Sequence, residues 1–292
     1  MRKTLGTVAV VALTTALSAC GGGSTAATST TSSSGSGTSG GASAAGGGAP
    51  AGLIDSGALS VCIDPEYAPL EYFEGTDTSN PVGFDADSAR ALGALWGVET
   101  TWQITSFDGL IPALQAQRCD IVWSGLYTSE ERLAVADGAP YLRTGPGLLV
   151  ATGTSDITDS ASLSGKTVAV QGGGANEATL QTLSDEFTAA GKEPITIQPY
   201  PKVAETVAAV TNGKAQALIE TDVAVSDIVT KSAGALEAVA GVFPTETEFG
   251  VFTTKGSALS PAVAAGVETL AADGTLATIA TKYGLDPAKI VS

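Results

Sequence analysis

The sequence predicts an α/β protein with a largely parallel sheet. Three observations predict it: short apolar runs alternate with segments of helical period, the order strand-then-helix repeats along the chain, and capping residues punctuate the helices. Leu59 to Ile63 reads as a buried strand. Asp85 is placed to N-cap a helix whose face is Ala89, Leu92 and Trp96. Asp108 precedes a second, with Leu110, Ile111 and Leu114 inward. Ile121 to Trp123 is a strand, and Thr128 with Glu131 forms a capping box for the helix that follows. Thr167 to Gln171 is a strand running into three glycines, Gly172 to Gly174, and then a helix with Leu180, Leu183 and Phe187 on one face. Val203, Thr206, Val207 and Val210 mark a helix that Asn212-Gly213 ends, and Ala217 to Ile219 is the next strand. Ser260 and Pro261 open a helix carrying Val263, Val267 and Leu270; Leu276, Ile279 and Tyr283 continue a last one, stopped by Gly284. In such sheets ligands bind at the carboxyl ends of the strands.

Composition narrows the chemistry. The 292 residues carry a formal charge of −16, include no histidine and have only three cysteines. A chain so acidic, with no basic stripe, repels nucleic acid. Without histidine the Ser-His-Asp and Cys-His nucleophile systems and the usual zinc sites are excluded, and no cofactor is expected.

The N-terminus reads as an address. Arg2 and Lys3 precede an apolar run from Leu5 to Leu17, too short to span a bilayer comfortably, and Leu17-Ser18-Ala19-Cys20 follows. That segment resembles the lipobox of bacterial lipoproteins, which implies a signal peptide over 1–19 and acylation of Cys20. Residues 21–52 are almost entirely Gly, Ser, Thr and Ala, a tether with a reach of about 30 Å.

The body carries a family resemblance in ordered segments. These are Asp64-Pro65-Glu66-Tyr67-Ala68-Pro69-Leu70-Glu71-Tyr72, Gly83-Phe84-Asp85-Ala86-Asp87, Phe107 through Gln115, Cys119-Asp120 through Glu131-Arg132, and Ala272-Asp273-Gly274-Thr275-Leu276. Together they resemble the family 3 extracellular solute-binding proteins, the polar amino acid receptors of ABC importers. The resemblance implies a two-lobed periplasmic-binding-protein-like (type II) fold with a hinge of two crossover strands. Lobe 1 would be 53–148 with 249–292, and lobe 2 would be 149–248. It also implies an extracytoplasmic monomer, held to the membrane by Cys20, that closes on an amino acid and delivers it to permease subunits.

Carried over residue by residue, the resemblance nominates Arg132 as the fork for a ligand carboxylate, with Ser124, Gly125 and Tyr127 on the preceding loop. Tyr127 stands where the family has Ser or Thr. Tyr67 and Phe107 match the two aromatics that flank the ligand, with core packing as the alternative, and Trp123 reads as core. The glycine turn offers the backbone of Gly173, Gly174 and Ala175, where the family's hydroxyl is missing. For the ligand ammonium, Thr221 occupies the family's aspartate position, so Asp222 is the first candidate, Glu220 the second, and Asp64 a further partner.

Cys62 and Cys119 remain after Cys20. An oxidising compartment permits their pairing. An offset of three residues along neighbouring strands, about 10 Å, opposes it, and the pair stays open. Two other functions also stay open: a cyclohexadienyl dehydratase-like enzyme on the same fold, with Glu220 as general acid, and a sensory lipoprotein that binds ligand without transport.

Overall fold

A computed structural model describes residues 48–243 and 247–291. Cys20, the expected signal peptide and most of the tether lie outside the described residues.

The chain begins with β1 (Ala58–Ile63), a two-strand ribbon of β2 (Glu66–Tyr67) and β3 (Glu71–Tyr72), α1 (Phe84–Trp96) and β4 (Glu99–Ile104). It continues through α2 (Leu110–Gln115), β5 (Ile121–Val122), α3 (Glu130–Val135) and β6 (Ala136–Thr144). Next come β7 (Pro146–Ala151), β8 (Thr167–Gln171), α4 (Ala175–Ala189), β9 (Thr196–Tyr200), α5 (Val203–Thr211), β10 (Ala217–Thr221), α6 (Asp222–Lys231) and β11 (Leu236–Val239). The chain closes with β12 (Thr247–Thr254), α7 (Ser260–Ala272) and α8 (Thr275–Lys282).

Two five-stranded sheets result, in the orders β4-β1-β5-β12-β6 and β11-β7-β10-β8-β9. The four strands expected from the sequence run parallel in pairs, β1 with β5 and β8 with β10, and two strands the sequence reading did not name extend them in parallel, β4 beside β1 and β9 beside β8. The sheets are mixed because β12 lies antiparallel to β5 and β6, while β7 lies antiparallel to β10 and β11. The step from β6 into β7 passes the chain from the first sheet to the second, and β12 brings it back. This is the two-lobed α/β arrangement of the periplasmic-binding-protein fold.

Each sheet has apolar layers of its own. In the first lobe Leu59, Val61, Leu92, Trp123, Tyr141, Phe249 and Val251 meet Val263, Val267 and Leu276 from the C-terminal helices. In the second, Leu148, Val168, Val170, Leu180, Phe187 and Ile219 form one layer, and Leu149, Val210, Leu218 and Ile228 another. The helix faces are those the apolar period indicates.

Two local readings differ from the sequence-based expectation, and the open pairing of Cys62 with Cys119 is decided. Asp85 lies inside the first turn of α1, fully buried, because Gly83 is the cap residue and the carboxylate turns inward to Gly125 and Tyr141. The cap of α3 is Ser129, whose hydroxyl accepts the Arg132 N–H at 3.4 Å, while Thr128 pairs with the Glu248 carbonyl. Cys62 and Cys119 form a disulfide with Cα atoms 5.6 Å apart. The expected offset assumes extended chain before β5. Instead residues 118–120 bend, and the Asp120 N–H bonds the Ser60 carbonyl, which draws Cys119 back beside Cys62.

Candidate ligand-binding site

A small cavity of about 30 Å³ lies between the two lobes. From the first lobe Tyr67, Phe107, Gly125, Tyr127 and Arg132 line it; from the second come Gln171, Gly174, Ala175, Asn176, Glu220 and Thr221. The strand ends and helix starts of both sheets supply these residues, as the topology of such sheets leads one to expect.

Arg132 is held from its own element. Its guanidinium donates to the Tyr127 carbonyl at 3.1 Å and lies over the Phe107 ring at 5.8 Å. Among the described residues no carboxylate forms an ion pair with it. Burial pulls its pKa down, yet arginine stays charged, so a half-buried cation faces the cavity with donors to spare. Opposite it, Gly174 caps the fifteen-residue α4, and the backbone of Ala175 and Asn176 begins that helix. Free N–H groups at a helix start, with the positive end of its dipole, favour an anion at the same place.

The glycine turn explains one departure from the family pattern. A Cβ at Gly174 would stand 3.2 Å from Phe107 Cε1, so the aromatic ring of one lobe fills the space a larger residue in the other would need. Gly125 is required more strictly. Its φ is +53°, and a Cβ there would lie 2.9 Å from the Tyr67 ring.

The acidic side of the cavity is Glu220, 4% exposed. Its Oε1 accepts the Tyr67 hydroxyl and the Thr221 N–H, both at 2.8 Å. The Tyr67 hydroxyl also meets Thr221 Oγ1. Burial raises the Glu220 pKa to about 7, against the two hydrogen bonds that favour the ionised form. Burial and the neighbouring Glu220 push the Tyr67 phenol well above its ordinary range.

Two buried polar atoms on the wall, Tyr127 OH and Asn176 Oδ1, have no hydrogen-bond partner among the described residues. Unpaired buried groups are costly, and both belong to residues lining the cavity. The Tyr127 ring itself stacks on Phe249 with centroids 5.2 Å apart.

The remaining nominated residues lie around the cavity rather than on its wall. Asp222 is turned away: Thr144 donates to its Oδ1 and Lys289 pairs with its Oδ2, each at 2.7 Å. Strand β10 ends at Thr221 and α6 starts at Asp222, so the two side chains diverge where the backbone changes period. Ser124 is buried beneath the site, accepting the Asp64 N–H and donating to Glu71. Gly173 donates its N–H to Glu177 and borders an outer groove. Asp64 opens onto an adjoining groove with Glu66 and Lys202. Its pKa rises to about 6, chiefly through burial and then through Glu66 and Asp108, against Lys202. Gln171 and Asn176 were not foreseen. Their flanking position about the three glycines was the available signal.

The comparisons with known proteins agree with this geometry. The profile of bacterial extracellular solute-binding proteins, family 3, matches residues 59–286. The chain is 30% identical to the arginine-binding protein ArgT of Corynebacterium glutamicum over 238 residues, 81% of this chain and 77% of that one. It is 31% identical to the histidine-binding periplasmic protein of Salmonella typhimurium, over 75% of this chain and 85% of that one. An ancestral arginine-binding protein solved with arginine superposes with a TM-score of 0.70 at 27% identity, covering 78% of this chain and 98% of its own. By sequence, fold and the placing of its cavity, the chain belongs to family 3 of the bacterial extracellular solute-binding proteins.

Proposed function

We propose that this protein is the substrate-binding lipoprotein of an ABC importer, anchored through Cys20, and that it captures an amino acid with a cationic side chain, arginine foremost, for delivery to a permease. The observation that carries the reading is Arg132, a half-buried cation with no acid partner among the described residues, facing the start of α4 across the cavity. A ligand carboxylate fits between them, held by the guanidinium fork and the helix N–H groups. Glu220, with Tyr67 and Thr221 around it, takes the ammonium in place of the aspartate usual in the family. In the adjoining groove Lys202 is already paired with Glu66, which leaves the Asp64 carboxyl as the acid available to a cationic side-chain end. The relatives named for arginine support the same choice.

A thermal-shift screen against the twenty amino acids and prephenate tests this. A ligand at 100 times its Kd adds about 2.7 kcal/mol. A response to arginine or another basic amino acid supports the reading; silence across all amino acids sinks it. A Glu220 carboxyl that burial raises to about 7, placed in the cleft, favours a second reading, a dehydratase acting on a prephenate-like acid, which product formation from prephenate would reveal.

Glu220 also sets a pH dependence. Below pH 7 its carboxyl is largely protonated, and an ammonium ligand favours the ionised form, so binding must expel a proton. Affinity is expected to rise toward pH 8, by at most about tenfold per pH unit below 7 for one proton. Calorimetry in buffers of different ionisation enthalpy reads the released proton. Glu220→Gln removes it, and Asp64→Asn serves as the control for the other raised carboxyl. An unchanged profile in Glu220→Gln removes Glu220 from the ammonium site.

A further inference from the structure

Beneath the loop that faces the cavity lies a pair of acids that the binding chemistry does not use. Glu71, on β3, is 1% exposed, and Asp85, on α1, is 0% exposed. Glu71 Oε1 accepts the Ser124 hydroxyl at 2.8 Å. Asp85 Oδ2 accepts the Gly125 N–H and the Tyr141 hydroxyl, both at 2.7 Å. The other two oxygens, Glu71 Oε2 and Asp85 Oδ1, receive no N–H or O–H from any other described residue, and the backbone sets the two residues side by side: the Asp85 N–H bonds the Leu70 carbonyl, and the adjacent Ser124 and Gly125 reach one carboxyl each.

The charges around the pair are of the wrong sign for two anions. Asp64 adds a further negative charge near Glu71, the Tyr141 phenol faces Asp85 from β6, and Ser88 of α1 is buried with an unpaired hydroxyl. No lysine or arginine among the described residues forms an ion pair with either acid. Two adjacent carboxylates in so dry a place cannot both be ionised. One proton between them satisfies both orphan oxygens at once.

The site of that proton follows from the hydrogen bonds. Asp85 already receives two donors on one oxygen, a backbone N–H and a phenol, which favour its ionised form. Glu71 receives one hydroxyl and faces two acids. We propose that Glu71 is a carboxylic acid that donates to the Asp85 carboxylate, and that this proton-sharing pair is a positioning device: it fixes Ser124 and Gly125, and through them the face against which the ligand closes. Gly125 lines the cavity and touches Tyr67, while Ser124 holds the backbone of Asp64 at 3.0 Å. Loss of the proton sets two anions against each other directly under both contacts.

The role in affinity rests on the proposed function above, but the proton itself is tested without any ligand. Infrared spectra of the protein at pH 8.5, above the raised pKa of Asp64 at about 6 and in a Glu220→Gln background that removes the other raised acid of the cavity wall, are expected to contain a carboxylic acid carbonyl band that Glu71→Gln removes. Between pH 6 and 8.5 the folded protein holds a proton that the unfolded chain has released, so stability falls as pH rises. Glu71→Gln is expected to lower the slope of unfolding free energy against pH by one proton. Glutamine keeps an acceptor for Ser124 and a donor for Asp85, so its ligand affinity stays within about threefold of the parent, whereas Glu71→Ala loses more than tenfold. The absence of the acid band at pH 8.5, or an unchanged pH slope in Glu71→Gln, overturns the shared proton. An affinity as low in Glu71→Gln as in Glu71→Ala overturns the positioning role.

Discussion

Arg132→Ala is expected to lower the affinity for the amino acid ligand by about a thousandfold, close to 4 kcal/mol, as read by calorimetry. The magnitude follows from what the substitution leaves behind. A ligand carboxylate brought into the closed cleft would keep the N–H groups of α4 and lose its only arginine partner among the cavity-lining residues. The variant should fold as well as the parent in the absence of ligand. Among the described residues Arg132 makes a single side-chain hydrogen bond, to the Tyr127 carbonyl, and its removal relieves the burial of a charge without an acid partner there. Equal melting temperatures with a collapsed affinity would separate a ligand contact from a structural one. Arg132→Lys should recover only part of the loss, because an ammonium cannot form the bidentate fork. An affinity within tenfold of the parent in Arg132→Ala would refute the carboxylate assignment.

The second large effect concerns stability. Removing the Cys62–Cys119 disulfide, as the double alanine variant, is expected to cost about 4 kcal/mol in urea unfolding, given the sequence separation of 57. Both cysteines are buried in the layer formed by Leu110, Leu114, Val122, Leu126 and Phe252, so lost packing adds to the chain-entropy effect. Neither lines the cavity, and ligand affinity measured well below the melting temperature should change little. A loss under 1 kcal/mol would show that α2 and β5 are held by their apolar contacts alone.

The fold class was legible because the helix and strand periods are strong and the motif segments occur in order. Arg132, Tyr67 and Phe107 were legible as residues of one site because each lies inside such a segment, and the structure brings all three to one cavity. What was hidden depends on a shift of one residue or on distant partners. Whether Glu220, Thr221 or Asp222 faces the cleft turns on where β10 gives way to α6, and a slip of one position exchanges the faces. The partner that draws Asp222 aside, Lys289, is 67 positions away and carries no local signal. The disulfide was hidden by a bend of three residues, which strand arithmetic treats as straight. The acid pair of Glu71 and Asp85 was visible only as motif letters, since a helix-start aspartate reads as a cap until its burial is known.

The position of β12 has a consequence for the order in which the chain becomes a protein. It is a central strand of the first sheet, between β5 and β6, and it is the strand that β6 pairs with, beside a single bridge from Leu142 to Ile290. During synthesis every strand of the second sheet leaves the ribosome before β12 does, so the second lobe can assemble from contiguous chain. The first lobe, which starts the sequence, must wait for residues near its end. Until then β5 and β6 are open edges with apolar neighbours, the kind of surface that invites wrong pairing. The lobe that comes first in sequence is therefore the last to close, and truncation before Thr247 would leave β4, β1 and β5 paired but β6 cut off from them.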